Sequence, residues 1–400
     1  MNAKWSDLSV EAIVVGAGPA GAVAAHEIAR AGFSVLLVEK HDCVGVPVCC
    51  AGGITVEGLT RVVPLDPRWV ATEIAEVLMA APGGQTILFR HPAAGFILNR
   101  QVFDHDLAQR AAQAGATIWI GTEAVGLTSE NGRTFDSVLL RRDGAMVRVG
   151  CRVVLGCDGI ESLVGRWAGM NTIVTAEDMD SSAQYLLSDL SDIVPGRVEF
   201  YFSSRLTPGG YAWVFPKGAA TANVGIGFCP ALGDGRHARE RLDEFVSLRF
   251  GHGKILERMA GGVPAFCGRK LMVTKNVLLA GDAARLLDSL SGAGIANALL
   301  SGQFAGRTAA EYLRQKEPKL SLLRNYPDRF MKIKGRELRC CRLARQIFLR
   351  MTDADLEDVL ALLGPLYDGK TIHHIDGVEI IKHILRTRPR LLALTRHLIW

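Results

Sequence analysis

Residues 11–40 read EAIVVGAGPAGAVAAHEIARAGFSVLLVEK. An apolar run, Ala12 to Val15, enters Gly16, Gly18 and Gly21 in G-x-G-x-x-G spacing; a small-residue segment from Ala20 to Ala31 follows, then Gly32 and a second apolar run closed by Glu39. The order predicted is strand, turn, helix, strand, which opens a Rossmann-type α/β domain. Each glycine has its own task. Gly16 permits the tight turn, Gly18 lets the backbone approach a pyrophosphate, and Gly21 lets the helix lie against the sheet. Unpaired amides at the helix N-terminus then face the diphosphate. Glu39, about 20 residues past the motif, is placed to accept hydrogen bonds from a ribose.

The rest of the chain has room for such a domain and more. Its 400 residues, 48% of them hydrophobic, can bury a large core and suggest two or three intertwined domains. A net charge of +5 argues against a nucleic-acid footprint over the whole surface, while leaving room for local basic patches. Nine cysteines include the adjacent pairs Cys49/Cys50 and Cys340/Cys341 but no C-x-x-C, so neither a zinc site nor a disulfide framework is expected. That usage fits a reducing cytoplasm. No basic segment precedes a continuous apolar run at the N-terminus, and no apolar run reaches the ~18 residues of a membrane-spanning helix. Neither a signal peptide nor a transmembrane segment is expected.

Further along, HDCVGVPVCCAGGI (residues 41–54) is a loop whose glycines suggest close backbone approach. A hairpin is expected around Pro82, Gly83 and Gly84, then a turn at Asn99 and Arg100 leading into an amphipathic helix. Phe103, Leu107 and Ala111 lie on one face of it, and it ends at Gly115. From about 176 to 265 the texture changes to VEFYFS, GYAWVF and ANVGIGF, read as an inserted antiparallel sheet crossed by a helix from His237 to Phe250. The nucleotide domain resumes at Asn276 with NVLLAGDAARLLDSLSGAGIANALLSG. There a short strand ends in Gly281 and Asp282, and Gly292 and Gly294 introduce a helix. A carboxylate at a strand end can hold a polyol hydroxyl, and a helix N-terminus can stabilise an anionic ring edge. A ribityl chain and a reduced isoalloxazine present both needs, which favours FAD over NAD.

GAGPAG with Glu39, the Arg100 stretch, CDG at 157–159 and GDAA at 281–284 together resemble the FAD proteins of the aromatic hydroxylase type, related to glutathione reductase. Within that group, TPGGYAWVFPKGAATANVGIGF (Thr207 to Phe228), CCAGGI (Cys49 to Ile54) and the SGAGI turn resemble the geranylgeranyl reductase family. The resemblance spans roughly residues 8–310. It implies reduction of carbon–carbon double bonds in prenyl chains of lipids or pigments. It also implies FAD contacts at Ala20, Glu39, Cys50, Ala51, Gly53, Arg100, Ala124, Asp282, Gly294 and Ile295. Two positions depart from the pattern: Ser289, where relatives usually carry proline, and Ala293, where they carry a third glycine.

Tyr211, Trp213 and Phe215 alternate along one strand and therefore share a face. Spacing alone leaves open whether the row is core or the wall of an apolar slot; the resemblance implies the slot. An isolated alkene accepts hydride poorly, so the protein must hold it dry over the flavin, stabilise positive charge and supply a proton. Tyr211 and Trp213 can offer π-faces to the cationic carbon. Cys50 is the candidate acid, since the resemblance implies a cysteine there.

Residues 331–350, MKIKGRELRCCRLARQIFLR, hold seven Lys/Arg against one Glu, and residues 382–400, which end at Trp400, hold five against none. With interleaved apolar residues these are either peripheral contacts to an anionic membrane or basic helices packed on the domain. Pro389 interrupts the second. The expected division is an FAD-binding domain of residues 1–75, 97–175 and 266–330, a substrate domain of 76–96 and 176–265, and a helical region of 331–400. No separate second dinucleotide fingerprint points to the electron donor, so NADPH and ferredoxin both remain open. A flavin monooxygenase of the same fold and a non-catalytic prenyl carrier are the alternative readings.

Overall fold

In a computed structural model, residues 8–251 and 253–393 are described. A six-stranded sheet runs, in spatial order, Val273–Thr274, Val277–Leu279, Val153–Gly156, Ala12–Val15, Val35–Val38, Thr117–Trp119. It is parallel except at its Val273–Thr274 edge. Ala12–Val15, Val35–Val38 and Val153–Gly156 are buried throughout. Their unbroken apolar runs follow from having both faces covered.

The helix Pro19–Arg30 follows the glycine turn as its spacing predicts. At Gly16, φ is +98°, and a Cβ would overlap the carbonyl of Cys157, the residue after the neighbouring strand. At Gly21 a Cβ would overlap the Gly16 carbonyl. The later helix Ile295–Leu313 crosses the first through two more small positions, Gly302 against Ala20 and Gly306 against Ala24. Glu27 clamps the crossing: 6% exposed, it accepts from Arg307 at 3.1 and 3.2 Å and from Arg30 at 2.9 Å.

A four-stranded sheet that the sequence reading did not resolve joins Leu8–Ser9, Ala145–Gly150, Ser137–Arg142 and Thr122–Thr128. Thr122–Thr128 and Ser137–Arg142 pair antiparallel, joined across Asn131 and Gly132. The larger sheet has eight strands in the order Lys254–Pro264, Met179–Ser188, Ala222–Phe228, Tyr211–Pro216, Arg197–Tyr201, Val70–Ala80, Thr86–Leu98, Gly53–Thr55. It is not wholly antiparallel, because Arg197–Tyr201 runs parallel to Val70–Ala80. The hairpin strands extend from Val70 to Leu98, so limits drawn at 76 and 96 fall inside them. The helix Ala238–Phe250 covers one face, where Ala212, Val214, Val224 and Ile226 are fully buried with Leu242 and Phe245.

Of the basic stretch 331–350, within the helix Asn325–Phe348, two residues turn inward. Arg345 is 4% exposed and pairs with Asp180 at 2.7 and 2.8 Å; Arg342 lies 3.3 Å from Asp178 and donates to the Phe266 carbonyl. These charges fasten the helix to the sheet and are withdrawn from any membrane face. In the helix Gly377–Thr387, Ile380 and Ile384 pack towards Phe89 and Leu360. Trp400 and the rest of the second stretch from residue 394 lie outside the described residues. No helix among the described residues is long and apolar enough to cross a membrane.

Candidate active site

The face of the large sheet opposite the helix Ala238–Phe250 is organised in rows. Directly opposed residues of an antiparallel pair share a face. One row is Phe200, Trp213, Gly225, Gln184 and Met259; the next is Phe215, Asn223, Leu186 and Glu257; a third is Tyr211, Gly227 and Ser182. Tyr211, Trp213 and Phe215 are half-buried while Ala212 and Val214 between them are fully buried. By parity the small residues fill the core beneath the helix, and the aromatics lie on the opposite face of the sheet. Phe200 meets Tyr211 and Phe215 edge-on at 5.4 and 5.6 Å between ring centroids, and Phe202 continues the row to Phe348 at 6.0 Å.

Gly225 explains how the indole lies. A Cβ there would overlap the Trp213 ring, so its absence lets the indole cross the neighbouring strand. The indole N–H then donates to Gln184 Oε1 at 2.9 Å. Gln184, 4% exposed, reaches on through Nε2 to the Met259 sulfur at 3.2 Å and, at 3.5 Å, to the Cys50 carbonyl. Asn223 Nδ2 donates to the Ala51 carbonyl at 3.0 Å. The Cys50–Gly53 loop is thus pinned onto the face that carries the aromatics, and a Cβ on Gly53 would stand 3.2 Å from Phe215.

The opposite end of the aromatic row meets the loop before the helix Ile295–Leu313. The Tyr211 hydroxyl donates to the Ser291 carbonyl, and burial, with Asp180 and Asp288 nearby, pushes its phenol up. Asp288 Oδ1 accepts from the Leu290 and Ser291 N–H groups at 2.7 and 3.2 Å, which shapes the turn carrying Gly292, Gly294 and Ile295. Ser289, at a position where relatives usually carry proline, accepts from the Phe266 N–H at 2.8 Å through its hydroxyl, 3% exposed. The departure thus satisfies a buried donor that a proline side chain could not.

Arg100 enters from the start of the helix Arg100–Gln113 and is gripped by Asp104 one turn on, at 2.9 and 2.7 Å. It shares with Cys50 a cavity of about 230 Å³. Asp282 is half-buried, and its Oδ1 would stand 3.2 Å from a Cβ on Gly294. No group among the described residues hydrogen-bonds its carboxylate, which burial pushes up and Arg100 draws down. At the far end Glu39 accepts from the Ala17 N–H at 2.9 Å and from the His41 N–H at 3.1 Å, which ties it to the glycine turn. Ala20 is buried against the helix Ile295–Leu313, and Ala124 is buried at a bulge in the strand Thr122–Thr128.

The space between these parts fits FAD. A Cβ at Gly18 would meet nothing within 4 Å, unlike those at Gly16 and Gly21, and the helix it opens carries no side-chain cap. The helix Ile295–Leu313 is likewise uncapped by a side chain, with the unpartnered Asp282 beside it. Such donors and such a carboxylate match a diphosphate, an anionic ring edge and a ribityl hydroxyl. No group of three or more His, Cys, Asp or Glu among the described residues could hold a metal. Gln184, Asn223, Asp104 and Asp288 were not foreseen. Their roles are fixed by cross-strand register and loop contacts that no local motif encodes. The one available signal was the alternate glycine pair in ANVGIGF, beside an aromatic strand.

Comparison with known proteins matches residues 178–263 to the geranylgeranyl reductase catalytic domain and residues 11–216 to the FAD dependent oxidoreductase family. The digeranylgeranylglycerophospholipid reductase of Methanocella arvoryzae is 36% identical, over 96% of this chain and 97% of that protein. Digeranylgeranylglycerophospholipid reductase 1 of Methanococcoides burtonii is 35% identical, over 92% and 91%. Among solved structures, a geranylgeranyl bacteriochlorophyll reductase-like protein of Thermoplasma acidophilum superposes with a TM-score of 0.90 at 29% identity, covering 98% of this chain and all of that one. The flavin-dependent brominase Bmp2, as a triple mutant, reaches 0.72 at 16% identity over 95% of this chain and all of that one, a likeness of fold alone.

Proposed function

This chain belongs to the geranylgeranyl reductase family, and from that premise we propose that it saturates the geranylgeranyl chains of a membrane phospholipid, with Cys50 as the proton donor. Bound FAD supplies the hydride. The chain's residues do the rest. Gly18 and the first helix would hold the diphosphate, Asp282 the ribityl chain, and the Cys50–Gly53 and Gly292–Ile295 loops the ring. The aromatic row excludes water from the alkene and presents π-faces to developing positive charge. Cys50 lines a cavity with Arg100, and Gln184, which holds the Trp213 indole, also reaches its carbonyl, so its thiol can release its proton to the alkene carbon that does not take hydride.

The observation that carries this reading is the parity of the aromatic strand: the core is filled by Ala212 and Val214, leaving Tyr211, Trp213 and Phe215 on the face to which the Cys50–Gly53 loop is pinned. The lipid is suggested by the names of the relatives. For membrane contact, exposed Lys332, Arg336 and Arg339 beside Ile333, 44% exposed, give a basic and apolar patch. NADPH and ferredoxin are both compatible as donors. The test is mass spectrometry of a geranylgeranyl phospholipid after incubation with dithionite-reduced protein. Successive gains of two hydrogens are expected; an unchanged lipid, or one that gains oxygen, overturns the reading. Cys50→Ala should keep its yellow colour and lose most turnover.

A further inference from the structure

The cavity beside Cys50 has the wrong chemistry for a prenyl chain. Its lining includes Cys50, Arg100, Lys217, Asn223 and Glu257, and it holds about 230 Å³, room for several water molecules. Three of its residues come from one region of the sheet: Asn223 and Glu257 flank Leu186 in a single cross-strand row, and Lys217 follows the aromatic strand directly. The row runs from buried to open. Asn223 is 3% exposed, while Glu257 is exposed. Asn223 also carries an unmet need: Nδ2 serves Ala51, but the buried Oδ1 has no partner among the described residues. A buried acceptor left bare is costly, and water held in the cavity would satisfy it.

We propose that this cavity is the proton-supply route of the active site, in which Lys217 restores the proton that Cys50 gives to the substrate. The proposal rests on the reading of Cys50 as the acid. When Cys50 has given up its proton it is a thiolate. A Lys217 N–H bond then breaks, through cavity water, as the Cys50 S–H bond reforms, and the neutral amine takes a proton from solvent at the Glu257 mouth. No electrons move in this step. The charged groups that line the cavity with Lys217 are Glu257, on the strand Lys254–Pro264, and Arg100, which Asp104 neutralises, with Cys50 on the loop. Burial pulls the Lys217 ammonium below the usual lysine range while Glu257 opposes it, which makes it a readier proton donor than an exposed lysine. Because Lys217 acts through Cys50, it is a positioning residue for proton return and does not touch substrate.

The test separates the first turnover from later ones, using FAD-loaded full-length protein and a geranylgeranyl phospholipid in detergent. After reduction and removal of excess dithionite, the first turnover is read by the return of oxidised-flavin absorbance. Steady state is read with excess dithionite by hydrogens gained in the lipid. Lys217→Ala should complete its first turnover on the thiol already in place and then slow on the order of a hundredfold. Added ethylammonium should rescue the later turnovers in proportion to its protonated form. Lys217→Met, which keeps the stem, should show the same split if alanine perturbs the loop. Equal slowing of both phases without rescue, or full-speed later turnovers, overturns the relay. Cys50→Ala distinguishes the underlying failure: if it turns over normally the acid reading falls, whereas a slow Cys50→Ala beside a normal Lys217→Ala removes the relay alone.

Discussion

The indole N–H of Trp213 donates to Oε1 of Gln184, 2.9 Å away on a strand that is not its neighbour. The strand between them, Ala222–Phe228, presents Gly225 in the gap. Three strands thereby cooperate to set the plane of one ring.

Gly225→Ala should therefore disturb the site more than its single methyl suggests. The added carbon would overlap the indole. Forcing an extra methyl into a packed site costs about 1–3 kcal/mol. The expected result is a lower denaturation midpoint, altered tryptophan fluorescence and impaired prenyl reduction, with flavin colour retained. An unchanged emission spectrum would show that the indole does not depend on the gap.

Gly18 separates folding from cofactor binding. A methyl there meets no protein atom, so Gly18→Ala should unfold within about 0.5 kcal/mol of the parent, the range of a substitution away from packed features. It should nonetheless lose flavin readily on gel filtration if, as proposed, the diphosphate approaches the backbone at Gly18. Gly21→Ala, which collides with the Gly16 carbonyl, should instead lose both.

The Glu27 clamp gives a pH dependence. Burial alone would raise its carboxyl, but Arg307 and Arg30 hold it below the usual range. Its unfolded value is about 4.3. The unfolded chain thus takes up this proton at higher pH, so the clamp's contribution is present above about pH 4.3 and fades as pH falls through the folded value. Urea midpoints measured from pH 7 to pH 3 should fall less steeply for Glu27→Gln, which starts lower. Parallel curves for the two proteins would remove the clamp from the account.

The Arg345–Asp180 pair predicts a non-additive result. Removing one partner of a buried ion pair leaves an unpaired charge and costs about 3–5 kcal/mol. Arg345→Met should approach that figure, since Arg345 also serves the Glu177 carbonyl at 3.2 Å. The double variant Asp180→Leu/Arg345→Met should recover much of the loss. A double variant no better than the sum of its parts would mean that the pair does not act as a unit.

How much of this was legible in the sequence follows the range of the interactions. The glycine turn is local, and its strand, helix and strand stand where the spacing of Gly16, Gly18 and Gly21 put them. The phase of Tyr211, Trp213 and Phe215 was equally plain, yet which face of their strand packs against a helix was not, because that depends on the helix 26 residues later that covers Ala212. Asn223 reads as an unremarkable polar residue until register sets it beside Leu186 and the loop places Ala51 within its reach. The first basic stretch left membrane contact and packing on the domain both open, and for Arg345 no local pattern could decide, because its partner, Asp180, lies 165 residues earlier.

The strict alternation along Tyr211–Pro216 has a practical outcome for anyone seeking to redirect the enzyme. If the row walls the substrate site as proposed, randomising positions 211, 213 and 215 is expected to alter substrate choice at a smaller cost in folding than diversity at the fully buried 212 and 214. Adjacent codons of one short segment are thus expected to tolerate change unequally, and recombination between two libraries split by odd and even position would keep adaptation and robustness apart.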